Sequence, residues 1–194
     1  VKEGDEVIIP DLTFVADANA ILACNAKPRI VDINKNDFFM SISNLKKNIT
    51  KKTKAIIPVH IYGQVCNIEE ILDIAHDNNL KVVEDCAHAI GTFHKSKHVG
   101  TLGNTGCFSF YPTKNITTAE GGMVTTNSKK TAEKIRQLRS HGMTKSLKSR
   151  YSSEYPWIFD ITEPGYNYRI DEIRSALGIT QLKRIKKINQ LRLN

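Results

Sequence analysis

The sequence predicts an α/β fold, a sheet layered with helices. Short β-branched runs alternate with stretches of helical apolar spacing along the whole chain. The 194 residues, 40% hydrophobic and 25% charged, leave room for one substantial core or at most two small ones. No internal repeat and no low-complexity tract interrupts the alternation.

The elements follow in order. "EVIIP" (6 to 10) is a strand stopped by proline, and "TFVADANAILAC" (13 to 24) has the apolar spacing of a helix. "RIVDI" (29 to 33) is the next strand, and "SNLKKNI" (43 to 49) a serine-capped helix. "KAIIPVHIYG" (54 to 63) reads as a buried strand with its loop, and "NIEEILDIAHDNN" (67 to 79) as an amphipathic helix with acidic residues in its first turn. "KVVEDCA" (81 to 87), "GCFSFY" (106 to 111) and "GGMVTT" (121 to 126) complete the strands. A helix "KTAEKIRQLRSHG" (130 to 142) is expected to end at Gly142. A looser polar stretch, 143 to 165, precedes a last helix over 171 to 191. The chain starts directly on the approach to a strand and stops inside a basic helix, so it reads as the middle of a longer one.

Composition narrows the function. No apolar stretch approaches the length of a membrane span and no signal peptide opens the chain, so a soluble cytoplasmic protein is expected. Cys24, Cys66, Cys86 and Cys107 are widely spaced and form no CxxC pair, which points to neither zinc nor a disulfide framework. The net charge of +8 is spread over separate segments, chiefly 46 to 54, 145 to 150 and 183 to 192, without interleaved stacking aromatics. Solvated faces account for it better than nucleic-acid binding, which would predict salt-dependent association with DNA.

Ligands of open α/β sheets bind at strand ends, where loops converge on a crevice. "VVEDCAHA" places Asp85 at the end of an apolar strand and His88 three residues on. "CFSFYPTK" places Ser109 inside a strand and Lys114 just after it, with Pro112 stopping the strand. A lysine held away from water loses its charge more readily and becomes a nucleophile toward a carbonyl, so Schiff-base chemistry is open to it. A buried aspartate needs a cationic partner, and the protonated pyridine nitrogen of pyridoxal phosphate is one. The Ser109 hydroxyl could contact a phosphate. Plainer readings exist: Lys114 as a surface loop lysine, Asp85 as a turn cap, His88 as a core histidine. Spacing alone does not choose between them.

Five blocks, "GDEVIIPDLTFVADANAI", "KAIIPVHIYGQ", "VVEDCAHAIG", "CFSFYPTKNITTAEGGMVTTN" and "PGYNYRIDEIRSALGITQL", stand in the order and approximate spacing of one family. Over nearly its whole length the chain resembles the DegT/DnrJ/EryC1/StrS aminotransferases. The resemblance implies the three-layer major domain of a pyridoxal-phosphate transferase, aspartate aminotransferase-like, with a mostly parallel mixed sheet. It implies that Lys114 is the lysine that bonds to pyridoxal 5′-phosphate and shuttles the proton between Cα and C4′. Asp85 then pairs with the pyridine nitrogen, His88 lies near the ring hydroxyl, Ser109 binds phosphate and Phe14 stacks on the pyridine face. Asn167 reaches the phosphate of a neighbouring subunit, with Arg169 a further candidate there, so that a homodimer shares its sites. "TTAEGG" lets the backbone pass close to the cofactor.

The implied reaction passes nitrogen from an amino acid, with glutamate expected, to a nucleotide-linked keto sugar. "NITTAEGG" resembles the subgroup that aminates C4 of 4-keto-6-deoxy sugars, as for perosamine in surface polysaccharide, more than the C3 subgroup. Lys114 argues against the dehydratases of the family, in which histidine replaces it. A non-catalytic or regulatory homologue is the other alternative. Family members begin several dozen residues earlier and continue into a small C-terminal domain. The expected division is therefore 1–142 as a partial major domain, 143–170 as a loop making a cross-subunit contact, and 171–194 as the lead into that small domain. Alone, the chain is expected to bind cofactor weakly and to turn over nothing; no metal and no membrane enter the reading.

Overall fold

The computed structural model describes residues 1–144, 152, 154, 155 and 157–193. The basic run 145 to 150, and with it residues 151, 153 and 156 of the looser polar stretch 143 to 165, lies outside the described residues.

Six strands form one sheet in the order β2-β1-β3-β4-β7-β8. They are β1 (Glu6–Pro10), β2 (Lys27–Val31), β3 (Thr53–Ile56), β4 (Lys81–Asp85), β7 (Thr105–Ser109) and β8 (Gly122–Thr125). The first five are mutually parallel and β8 runs antiparallel to β7, so the sheet is mixed and mostly parallel as expected. β1 lies between β2 and β3 and is buried at all five positions, which is why "EVIIP" carries no polar alternation. Its one charged residue, Glu6, takes a 2.7 Å bond from the Thr50 hydroxyl and lies 3.6 Å from Arg29.

Alternate side chains sort the core into two layers. Val7, Ile9, Ala55 and Ile57 face α1 (Ala16–Ala23), which inserts Ile21, and Val83 packs against this cluster. Ile8, Ile56 and Val82 face the other way, onto Leu45 of α2 (Ile42–Asn48) and Ile68, Ile71 and Ile74 of α3 (Ile68–Asp77). Ser41 caps α2 through a 3.4 Å bond from Asn44 N–H. A third cluster, with Cys86, Ala89, Ile90, Val99, Phe108 and Ile116, closes the sheet where β4 and β7 end.

Three elements depart from the sequence reading. A short hairpin, β5 (Phe93–His94) and β6 (Lys97–His98), turns through Lys95 at φ 53°; its strands are too short to leave a pattern. The helix α4 (Lys129–Leu138) stops before Gly142, because segment 166–168 pairs with the backbone beyond it. Tyr166 N–H bonds the Leu138 carbonyl at 2.7 Å and Tyr168 N–H bonds that of Arg139 at 2.9 Å. The expected last helix is two, α5 (Glu172–Leu182) and α6 (Ile185–Leu193), and the break turns Ile185 and Ile188 onto the third cluster. Among the described residues no helix is long and apolar enough to cross a membrane.

Candidate active site

The alternation that builds the core also aims the polar residues. Asp85 follows Val83 by two positions and shares its face, toward α1, while Glu84 between them points into the opposite layer. β4 and β7 pair with Asp85 opposite Cys107, so Cys107 and, two residues on, Ser109 lie on the Asp85 face. The start of α1 overlies that face. Asp17 stands one helical turn before the buried Ile21, and the Thr13 hydroxyl donates to its carboxylate at 2.6 Å. Burial, then the charge of Asp85, push the Asp17 carboxyl up to about 6 against that hydrogen bond. Burial, then Asp85 and Asp17, push the Cys107 thiol up to about 11. Phe14 is 75% exposed at the head of α1, its ring in no aromatic pair among the described residues.

Lys114 stands five residues beyond the end of β7, in a turn closed by its N–H on the Tyr111 carbonyl at 3.0 Å, and is half-buried. His88 lies within electrostatic reach of both Lys114 and Asp85: burial and then the Lys114 charge lower its pKa, while Asp85 opposes them. Tyr62 stacks on His88 with ring centres 5.9 Å apart, and its N–H donates to His88 Nδ1 at 3.3 Å, which leaves Nε2 carrying the imidazole proton. The Ser109 hydroxyl accepts from Tyr111 N–H at 3.3 Å. A cavity of about 720 Å³ is lined by Tyr62, His88, Lys114, Asn115, Asn189 and Arg192 among others, within the size range of small-molecule sites.

Asn167 and Arg169 are not brought to Lys114. Asn167 is exposed and bridges Ser140, and Arg169 donates to the Ser140 hydroxyl at 3.2 Å. Arg169 lines a separate cavity of about 800 Å³, with Phe110, Gly121, Arg136, Arg139 and Tyr168.

Behind the site Glu84 is fully buried. Its Oε2 accepts from Gly100 N–H at 2.7 Å and His60 Nε2 at 3.0 Å, and its Oε1 from Leu102 N–H at 2.8 Å and Gly103 N–H at 2.6 Å. Burial alone would raise its pKa; the bonds from His60, Gly103 and Gly100 outweigh it and hold the carboxyl below the usual range. His60 Nδ1 accepts from Cys66 N–H at 3.3 Å. Ligand atoms of His60, Glu84 and Cys86 lie within 4.8 Å of one another, but both Glu84 oxygens and both His60 nitrogens are committed, and burial raises the Cys86 thiol far above its ordinary range. The group is a hydrogen-bonded lock on the strand that carries Asp85.

The sequence reading did not single out Asp17, Tyr62, the His60–Glu84 lock, Asn189 or Arg192. Tyr62 had a signal in "HIYG", where a positive φ of 54° before Gly63 turns the chain toward His88. Contacts through space carried no signal for the others.

The family model for the DegT/DnrJ/EryC1/StrS aminotransferase family matches residues 1–194. The chain belongs to that family. It is 45% identical over 185 residues to GDP-perosamine synthase of Caulobacter vibrioides, covering 95% of this chain and 47% of that protein. It is 42% identical over 192 residues to the spore coat polysaccharide biosynthesis protein SpsC of Bacillus subtilis, covering 99% and 49%. Among solved structures, the aminotransferase from Psychrobacter cryohalolentis superposes with a TM-score of 0.89 at 33% identity, over 96% of this chain and 48% of that one. The chain thus spans about half the length of the relatives it matches. The pyridoxal-phosphate transferase fold expected from the sequence is the fold found.

Pyridoxal 5′-phosphate is the cofactor of this family. The donor set fits it. A half-buried carboxylate stands at the end of a central strand, an amine lies beyond the next strand with an imidazole in electrostatic reach of both, and an exposed ring heads the overlying helix.

Proposed function

We propose that the full chain is a pyridoxal-phosphate-dependent aminotransferase that moves an amino group from glutamate to a nucleotide-linked keto sugar, at C4 of a 4-keto-6-deoxyhexose, in surface polysaccharide or glycan synthesis. His88, in electrostatic reach of both Lys114 and Asp85 near the ends of neighbouring strands and lining one cavity with Lys114, carries this reading, in a chain of an aminotransferase family. The GDP-perosamine synthase of Caulobacter vibrioides supports a nucleotide-sugar acceptor and agrees with the C4 reading of "NITTAEGG".

Bound pyridoxal phosphate supplies an electron-withdrawing ring that stabilises charge at the substrate's Cα. The Lys114 amine carries the proton to and from that carbon, with its turn held against Tyr111. Asp85 keeps the ring nitrogen protonated, His88 presents Nε2–H to the ring hydroxyl, Phe14 covers the ring and Ser109 binds phosphate. Asn167 and Arg169, which pair with Ser140 rather than with Lys114, serve the phosphate of a second subunit in a homodimer with shared sites. Residues 1–142 are read as part of the major domain, 143–170 as the segment of that cross-subunit contact and 171–194 as the approach to a small domain. A cytoplasmic setting is part of the proposal, supported by four free cysteines, two of them buried.

The test is an absorbance spectrum of the full chain with pyridoxal phosphate, then with borohydride, for the wild type and Lys114→Ala. A band near the visible edge that glutamate bleaches, and that borohydride fixes on Lys114 by peptide mapping, is expected of the wild type alone. Absence of that band in the full-length wild type would overturn the reading.

A further inference from the structure

The helix pair α5 and α6 reaches the loop that carries Lys114 mainly through side chains. Gln181 makes a two-way bond with Thr117, accepting its N–H at 3.0 Å and donating to its carbonyl at 2.6 Å. Arg192 donates to the Lys114 carbonyl at 3.2 Å. Asn189 does something different. Its Oδ1 accepts from Asn115 Nδ2 at 2.7 Å, one residue past Lys114, and its Nδ2 donates to the Ile90 carbonyl at 2.9 Å, two residues past His88. The Ile90 carbonyl can only accept, so the carboxamide has one workable orientation. The site is also shaped for it: a Cβ on Gly91, whose φ is +83°, would come within 2.4 Å of Asn189 Nδ2. Ile188, next to it in α6, packs on the cluster that holds Ile90 and Ile116, which fixes the helix against both loops.

We propose that Asn189 is a positioning residue that sets Lys114 and His88 relative to each other, one carboxamide tying the loop behind the amine to the segment behind the imidazole. This rests on the aminotransferase reading. Neither residue sits in a regular element: Lys114 follows its strand by five residues and His88 by three, so neither strand alone dictates their separation. A single rigid side chain bonded to both loops does. Without it the polar tie between the two loops is lost, and only the packing of Ile90 and Ile116 in the third cluster relates the amine to the imidazole.

The test uses the full chain with Asn189→Leu, which loses both bonds, and the near-isosteric Asn189→Asp, which keeps the acceptor but sets an oxygen against the Ile90 carbonyl. Asn115→Ala and the double variant Asn115→Ala/Asn189→Leu complete a cycle. Two quantities are read at saturating pyridoxal phosphate: the rate at which borohydride traps Lys114, and the visible circular dichroism of the bound chromophore, which reports its orientation. Expected is a loss in trapping rate of about tenfold in each Asn189 variant, the scale of one or two buried hydrogen bonds, with a weakened dichroic band. Asn115→Ala should show part of that loss and the double variant no more than Asn189→Leu. Melting curves identify a variant that has failed to fold, and Asn189→Asp carries the test if Asn189→Leu does. Trapping within twofold of wild type with an unchanged band, or losses that simply add, would overturn the positioning role while leaving the aminotransferase reading intact. A wild type that is not trapped at all overturns both.

Discussion

Replacing Glu84 by glutamine changes one atom and should cost the protein a large part of its stability. The carboxylate receives four donors, two on each oxygen, at 2.6 to 3.0 Å, with no exposure to water. A glutamine amide offers one oxygen, which satisfies two of them, and an NH₂ group that faces the other two. His60 cannot rescue the misfit by moving its proton, because Nδ1 would then face the Cys66 N–H. Two buried donors left unpaired cost about 1–3 kcal/mol each, so Glu84→Gln should lose about 4 kcal/mol. For a chain of this size that is a fall in melting temperature on the order of 10 °C. The pH dependence supplies the second check. The Glu84 carboxyl is held below its ordinary range in the fold, so its stabilisation is complete above the unfolded value of 4.5 and is lost as pH falls through the lower folded value. Glutamine has no such dependence, and the gap between the two proteins should narrow at strongly acid pH. Melting curves followed by circular dichroism at neutral and acid pH measure both. A gap below about 3 °C at neutral pH, or one that stays constant into acid, would refute the reasoning.

Two further outcomes are expected. Asp17, raised to about 6, holds a proton in the fold that the unfolded chain releases near 3.8, so its ionisation opposes folding as pH rises through that window and the cost is constant above it. Without cofactor, Asp17→Asn should raise the melting temperature at neutral pH by a few degrees, on the order of 1 kcal/mol after solvent screening, and leave it nearly unchanged near pH 4; no gain at neutral pH, or an equal gain at both, counts against a carboxyl raised by burial and by Asp85. At Gly106 an added Cβ would meet the Gly100 Cα at 2.2 Å and its carbonyl oxygen at 2.5 Å, backbone against backbone. Gly106→Ala should therefore cost more than about 3 kcal/mol, beyond ordinary overpacking, and a denaturant midpoint close to the wild type would show that β7 and the Gly100 loop can separate.

The wild-type spectrum and the Asn189 cycle extend these tests to the chemistry, since stability alone does not report where Lys114 points. The two are independent of the Glu84 lock. Glu84 anchors the loop at 100 to 103 on the layer opposite Asp85, whereas Asn189 joins the loops that carry the amine and the imidazole.

The strands and most helices were legible because burial on both faces leaves unbroken apolar runs such as "EVIIP", and a serine before a periodic segment marks a helix start such as that at Ser41. Where a boundary depends on a distant segment, local pattern failed. α4 ends early because residues 166–168 pair beyond its last turn, and the final helix breaks where its second half turns onto the third cluster. The site divides the same way. The places of Asp85, Ser109 and Lys114 at or just past strand ends were legible from the apolar runs before them, but spacing did not choose between Schiff-base chemistry and plainer roles; that expectation came from five blocks that resemble one family. Only the tertiary structure decided that Asp17 faces Asp85, that Tyr62 covers His88, that Glu84 locks the loop beneath, and that one asparagine 74 residues from Asn115 bridges the two loops. Those are contacts between side chains far apart in sequence, and no local propensity encodes them.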